Sequence, residues 1–142
     1  MLLHIIARGR IGRGPEADLF DRYMKRLTWA HKLSELPDTG GKYPVPMDNS
    51  RTILMDEGGD QMTSVEFAKL LEKWRDNGVR ETRFCLGAAD GFTPAEREGA
   101  DKIIAFGRAT WPHLMARAML AEQLYRATAI VAGHPYHREG RQ

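Results

Sequence analysis

The densest group of reactive side chains in this sequence is His134-Pro135-Tyr136-His137-Arg138. Five positions supply two imidazoles, a phenol and a guanidinium, and Pro135 stiffens the backbone between them. Imidazole is the side chain suited to exchanging protons near neutral pH. A tyrosine ring can stack on a nucleobase, and an arginine can hold a phosphate or a developing anion. Two histidines with no cysteine or carboxylate set at ligand spacing do not describe a metal site, so no metal is expected. The competing reading is a solvated basic tail, which Tyr136 and Pro135 weaken.

Three further segments carry candidate chemistry. Arg117 to Arg126 has helical spacing, with Glu122 and Arg126 forming an i,i+4 pair that suits either a surface salt bridge or RNA binding. In Thr110-Trp111-Pro112-His113, Pro112 holds the preceding residue extended, which fixes Trp111 in a loop where it either covers a ligand ring or closes the core. His113, at a helix start, reads as a cap or a surface residue. Gly87-Ala88-Ala89-Asp90-Gly91 is a turn after a strand, neither a Walker A loop nor a complete dinucleotide fingerprint.

The elements that must position these groups alternate in type. Apolar runs at 2–7, 52–56, 82–86 and 103–106, with a less apolar short one at 32–36, read as strands. Helices follow Pro15, Thr63, Thr93 and Pro112: Leu19, Phe20, Tyr23, Met24 and Leu27 form one stripe, and Phe67, Leu70, Leu71 and Trp74 another. Residues 37–50 are too rich in proline and glycine to sustain a helix. The alternation predicts an α/β fold, a mostly parallel sheet flanked by helices in one domain over residues 1–142. Ligands of such sheets bind beyond the carboxyl ends of the strands, which selects loops 57–60, 87–91 and 107–112.

The formal charge is only +2, but it is unevenly spread. Residues 1–32 hold seven Lys/Arg against three acids, residues 113–142 hold four Arg against two acids, and the middle is acidic. Ends that met in the fold would form a surface for phosphates, and ordinary solvated charge is the alternative. The single cysteine, Cys85, lies in an apolar run and excludes an internal disulfide. No apolar stretch reaches the roughly 20 residues of a membrane span, so a cytoplasmic location is expected.

Taken in order, Leu86–Gly91, Trp111-Pro112-His113, Ala121-Glu122-Gln123-Leu124-Tyr125-Arg126-Ala127 and His134-Pro135-Tyr136-His137-Arg138-Glu139 resemble the RlmH family of SPOUT (α/β-knot) methyltransferases over nearly the whole chain. The resemblance implies a trefoil knot near the C-terminus, a homodimer, and methylation of N3 of a pseudouridine in 23S ribosomal RNA within the ribosome. It also implies S-adenosylmethionine as cofactor, contacted by Met55, Gly87, Phe106, Gly107, Arg108, Ala109, Thr110 and Trp111. The family loop usually reads Gly-Gly-Pro-Glu-Gly, where this chain has Gly87-Ala88-Ala89-Asp90-Gly91, and Gly133 stands where Asn is frequent. The family's helix between the second and third strands does not fit the turn-rich 37–50 segment.

Methylation at N3 of a uracil-type ring requires its proton to be removed. On this reading His134 or His137 assists that removal, Arg138 stabilises the anion or grips phosphate, and Tyr136 orients the base. Arg8, Arg10, Arg13, Arg117 and Arg126 are the candidate RNA contacts. The alternatives are a SPOUT methyltransferase with another RNA target and a non-catalytic ribosome- or RNA-binding module.

Overall fold

A computed structural model describes residues 1–88 and 90–138. In chain order the elements are β1 (Leu2–Arg8), α1 (Pro15–Arg26), β2 (His31–Leu36), β3 (Ser50–Gln61), α2 (Ser64–Asp76), β4 (Glu81–Leu86), α3 (Pro94–Gly99), β5 (Lys102–Ala105) and α4 (His113–Val131). The helix starts obey local chemistry. Thr63 and Thr93 each accept from the amide of the glutamate three residues on, and that glutamate's carboxylate returns to the threonine amide, forming capping boxes for α2 and α3. Pro15 opens α1, where its missing N–H costs nothing.

The five strands form one parallel sheet in the order β2-β1-β4-β3-β5. Its chirality dictates which face each connection covers. The steps β1 to β2 and β3 to β4 both move one strand toward the β2 edge, so right-handed crossovers place α1 and α2 on one face. The steps β2 to β3 and β4 to β5 move the other way, which assigns residues 37–49 and α3 to the opposite face. Packing agrees. Leu3, Ile5, Ile53, Phe84 and Leu86 meet Phe20, Met24, Phe67, Leu71, Leu120 and Leu124 on the helical face. Ile6, Leu54 and Cys85 on the other face meet Tyr43, Phe92, Ala100 and Ile103. Burial drives the Cys85 thiol pKa up to about 11, as befits packing rather than nucleophilic chemistry.

The 37–49 segment, with no helix of its own, is a strap fastened to the sheet. Arg83 donates to the Pro44 carbonyl at 2.5 Å, the Met47 amide donates to Glu81 at 3.0 Å, and the Tyr43 hydroxyl donates to Glu96 at 2.6 Å. Tyr43 is pushed up to about 12 by burial and by that carboxylate.

Two elements differ from the sequence expectation. The third strand was expected to end at Asp56, with 57–60 as a loop, but β3 continues to Gln61. It bulges after Met55 and returns to pair Asp60 with Ile104 and Gln61 with Ala105. Gly59 permits the return, because a Cβ there would lie 2.6 Å from the Ile103 carbonyl. The fifth strand stops at Ala105, one residue short of the expected run.

Helix α4 lies against both α1 and α2 and buries Ala118, Leu120, Ala121, Leu124, Ala127 and Ala129. Its alanines let neighbouring helices approach closely, and its apolar residues go round the helix rather than down one stripe. Among the described residues no helix is long and apolar enough to cross a membrane.

Candidate active site

The carboxyl ends of β3, β4 and β5 open into a cavity of about 670 Å³, within the roughly 300–1,000 Å³ usual for small-molecule sites. Met55, Leu86 and Ile104, the last residues of the paired strand cores, meet there with Phe106. Three segments frame the opening, the bulge of β3 and two loops that follow strand ends. Asp56, Glu57 and Gly58 form one side, Gly87, Ala88, Asp90 and Gly91 another, and Ala109, Thr110 and Trp111 a third.

Each segment is fixed by identifiable bonds. Asp56 pairs with Arg97 of α3 at 3.0 Å, and the Thr110 hydroxyl donates to Glu57, joining the first and third segments. The Trp111 indole donates to the Phe106 carbonyl at 3.0 Å while the ring stays 41% exposed, so it stands as a wall rather than as core. Gly91 adopts φ +75°, and its amide donates to the Ala88 carbonyl at 2.9 Å. At Gly87 a Cβ would lie 3.2 Å from the Phe92 ring, so the backbone comes close to the cavity there.

Of the eight residues proposed for the cofactor, Met55, Gly87, Phe106, Ala109, Thr110 and Trp111 line the cavity, and Gly107 and Arg108 do not. Gly107 instead supplies a turn at φ +92°, and Arg108 is exposed. Sequence reasoning missed Asp56, Phe92, Arg97 and His113, which also line it. Strand-end logic selects loops without saying which of their neighbours reach inward. His113, read as a cap or surface residue, is the exposed first residue of α4, and its imidazole faces the cavity.

The histidine-rich segment lies at the other end of α4. Gly133, at φ +73°, ends the helix: its amide donates to Ile130 and that of His134 to Ala129, a Schellman arrangement that glycine or asparagine adopts readily. The chain then folds back on the helix. Arg126 grips Glu122 through Nε and Nη2 at 3.1 Å and donates from Nη1 to His137 Nδ1 at 3.0 Å. The Tyr136 hydroxyl donates to Glu122 at 3.3 Å, and its ring meets Tyr125 edge-on at 4.7 Å between centroids. Burial, the neighbouring Tyr23 and the Glu122 carboxylate raise the Tyr136 phenol above its usual range, so it stays protonated. His134 Nδ1 accepts from the Tyr136 amide at 3.1 Å, and Arg138 is exposed.

Three of the proposed RNA contacts are engaged within the chain. Arg117 is 1% exposed and committed to Glu35 and two backbone carbonyls. Arg126 is spent on Glu122 and His137. Arg8 donates to the Pro37 and Gly40 carbonyls and lies over the Tyr43 ring. Arg10 and Arg13 are exposed.

A parallel sheet with a cavity at its strand ends, walled by the bulged third strand and the loop before α4, is an arrangement that binds small ligands. The family model described as "Predicted SPOUT methyltransferase" matches residues 1–137, and the chain belongs to that family, whose fold includes the C-terminal knot. It is similar to "Ribosomal RNA large subunit methyltransferase H" of Sphingopyxis alaskensis, at 80% identity over 142 residues and the full length of both chains. The proteins of the same name from Novosphingobium aromaticivorans and Zymomonas mobilis are 67% and 57% identical, each over 99% of this chain and the whole of its own length.

Proposed function

We propose that this chain methylates N3 of a pseudouridine in 23S ribosomal RNA, on the assembled ribosome in the cytoplasm, as a homodimer using S-adenosylmethionine. The observation that carries the reading is the strand-end cavity, framed by the loops of a SPOUT methyltransferase in a chain so similar to proteins named for large-subunit ribosomal RNA.

The cavity fits the donor. Met55, Leu86, Ile104, Phe106 and Trp111 offer apolar and aromatic surface to an adenine ring, and with Asp56 paired to Arg97, Glu57 and Asp90 leave the opening favourable to a cation. When bound, the sulfonium supplies an electrophilic methyl group.

The remaining chemistry falls to the chain's own side chains. Either His134 or His137 accepts the N3 proton, Arg138 steadies the anion or a phosphate, and the protonated Tyr136 orients the base by stacking and hydrogen bonding. These groups must lie within about 3 Å of their targets. Within one chain they do not: the tail is bonded to α4 at Glu122 and Arg126, and Glu122 lies six residues, about 9 Å, along the helix from Ala116 at the cavity. That separation supports a homodimer in which the tail of one copy serves the cavity of the other. Trp111, which lines the cavity, and Met115 in the first turn of α4, 41% and 43% exposed, are apolar surface such a partner would cover.

The test is methylation of ribosomes from a strain lacking this protein, followed by mass mapping. A methyl group on a large-subunit pseudouridine is the expected product, and a product elsewhere, or none, overturns the assignment.

A further inference from the structure

The loop carrying Arg10 and Arg13 is clasped to the cavity wall by one buried arginine. From the second turn of α4, Arg117 donates through Nη1 to Glu35 at 2.6 Å and through Nη2 to the carbonyls of Gly9 at 3.1 Å and Arg8 at 3.3 Å. The same Glu35 oxygen accepts the Ile11 amide at 2.8 Å, closing a ring of contacts around the start of the loop. One turn earlier on α4 stands His113, which lines the cavity, and its Nε2 would be 3.7 Å from a Cβ on Gly9. The basic loop and the cavity therefore share a wall.

Within the loop, Ile11 packs against the core and the Gly9 amide donates to the Leu36 carbonyl at 2.8 Å, but three glycines leave the backbone between them free. Gly9, Gly12 and Gly14 all have positive φ, and a chain with this much freedom loses conformational entropy when it is ordered. A buried guanidinium is also an expensive way to fill space, and the Arg117 Nε has no partner among the described residues. An apolar side chain would occupy that volume at lower cost. What arginine adds is the simultaneous hold on a carboxylate and two carbonyls.

We infer that Arg117 is a positioning residue for the RNA substrate. Through Glu35 and the carbonyls of Arg8 and Gly9 it fixes residues 9–14 at the mouth of the cavity, so that Arg10 and Arg13 meet phosphates in register with the methyl-donor site. The inference rests on the RNA methylation proposed above.

Arg117→Met, Arg117→Lys and Gly9→Ala test it. The readouts are KM for unmethylated ribosomes, calorimetric affinity for S-adenosylmethionine, and hydrogen exchange of residues 9–14. Arg117→Met should raise the ribosome KM about tenfold or more and speed exchange in the loop, leaving donor affinity within about twofold. Arg117→Lys should recover part of the KM, since an ammonium reaches Glu35 but cannot span to both carbonyls. Gly9→Ala perturbs the loop from the other side, where its Cβ would lie 2.9 Å from Asp38 Oδ1, and leaves the α4 core intact. It should raise KM in the same direction even if Arg117→Met fails to fold. A wild-type KM in either folded non-conservative variant, or a parallel loss of donor affinity, overturns the clasp. No transfer by the wild-type protein overturns the function itself, and the clasp with it.

Discussion

Both tail histidines have their Nδ1 lone pair engaged, that of His134 by the Tyr136 amide and that of His137 by the Arg126 guanidinium. A neutral imidazole has only one free lone pair, so whichever ring takes a proton must first release its donor. His134 is exposed and gives up a single neutral bond, whereas His137 would have to leave a cation while its buried Nε2 has no partner among the described residues. The asymmetry favours His134 as the proton acceptor. His134→Ala and Arg138→Ala should each lower methyl transfer by about 100-fold or more, with calorimetric donor affinity within about twofold of wild type. Wild-type rates in both would remove the tail from the chemistry. At this scale the sequence was legible in residue type but not in direction. Arg117 and Arg126 lie on a helix whose spacing shows what they are near along the chain. It does not show that Glu35, 82 positions away, waits for the first, or that the returning tail waits for the second.

Strand β3 carries the clearest mechanical constraint among the elements. Its return past Met55 places Gly59 against the β5 backbone, where a Cβ would meet Ile103 and Ile104 atoms at 2.6–2.7 Å. Backbone cannot yield as a flexible side chain can, so Gly59→Ala should cost about 3 kcal/mol in chemical denaturation. Gly99→Ala, with nothing within 4 Å, should leave stability within about 1 kcal/mol. An unchanged midpoint for Gly59→Ala would mean that the returning arm is not closely packed. Strands β1 and β4 are joined by a buried pair, His4 Nδ1 to Glu81 at 3.0 Å, with Ser34 at 2.7 Å from Nε2. Burial holds the His4 imidazole below its ordinary 6.5, despite the opposing pull of Glu81. The unfolded chain then binds the proton first, so stability present above pH 6.5 is lost as pH falls through the folded value. His4→Gln should flatten that slope in a pH series of melting temperatures. The elements themselves were readable because caps, prolines and apolar periods are local. The return of β3 was not, since Gly58-Gly59 in isolation is a turn signal, and its true cause is a neighbour more than 40 residues on.

For the whole molecule, the donor cavity and the proton-transfer tail lie apart along one helix, the tail held by its own bonds to Glu122 and Arg126, about 9 Å or more up α4 from Ala116 at the cavity. Sequence order shows that the two clusters belong to one chain, but it cannot show that they serve each other across two copies. If they do, defects in them should complement. Arg138→Ala disables the tail and spares the cavity. Gly87→Leu fills the cavity, where even a Cβ would stand 3.2 Å from the Phe92 ring, and spares the tail. Each should be inactive alone. Mixed by co-refolding, half the dimers are hybrids, each with one sound cavity facing one sound tail, so about a quarter of wild-type activity should return. Activity that stays at zero while hybrids are present by native mass spectrometry would mean that each tail serves its own chain. The unfolding of the tail from Glu122 and Tyr125 would then have to carry the catalytic groups back along α4.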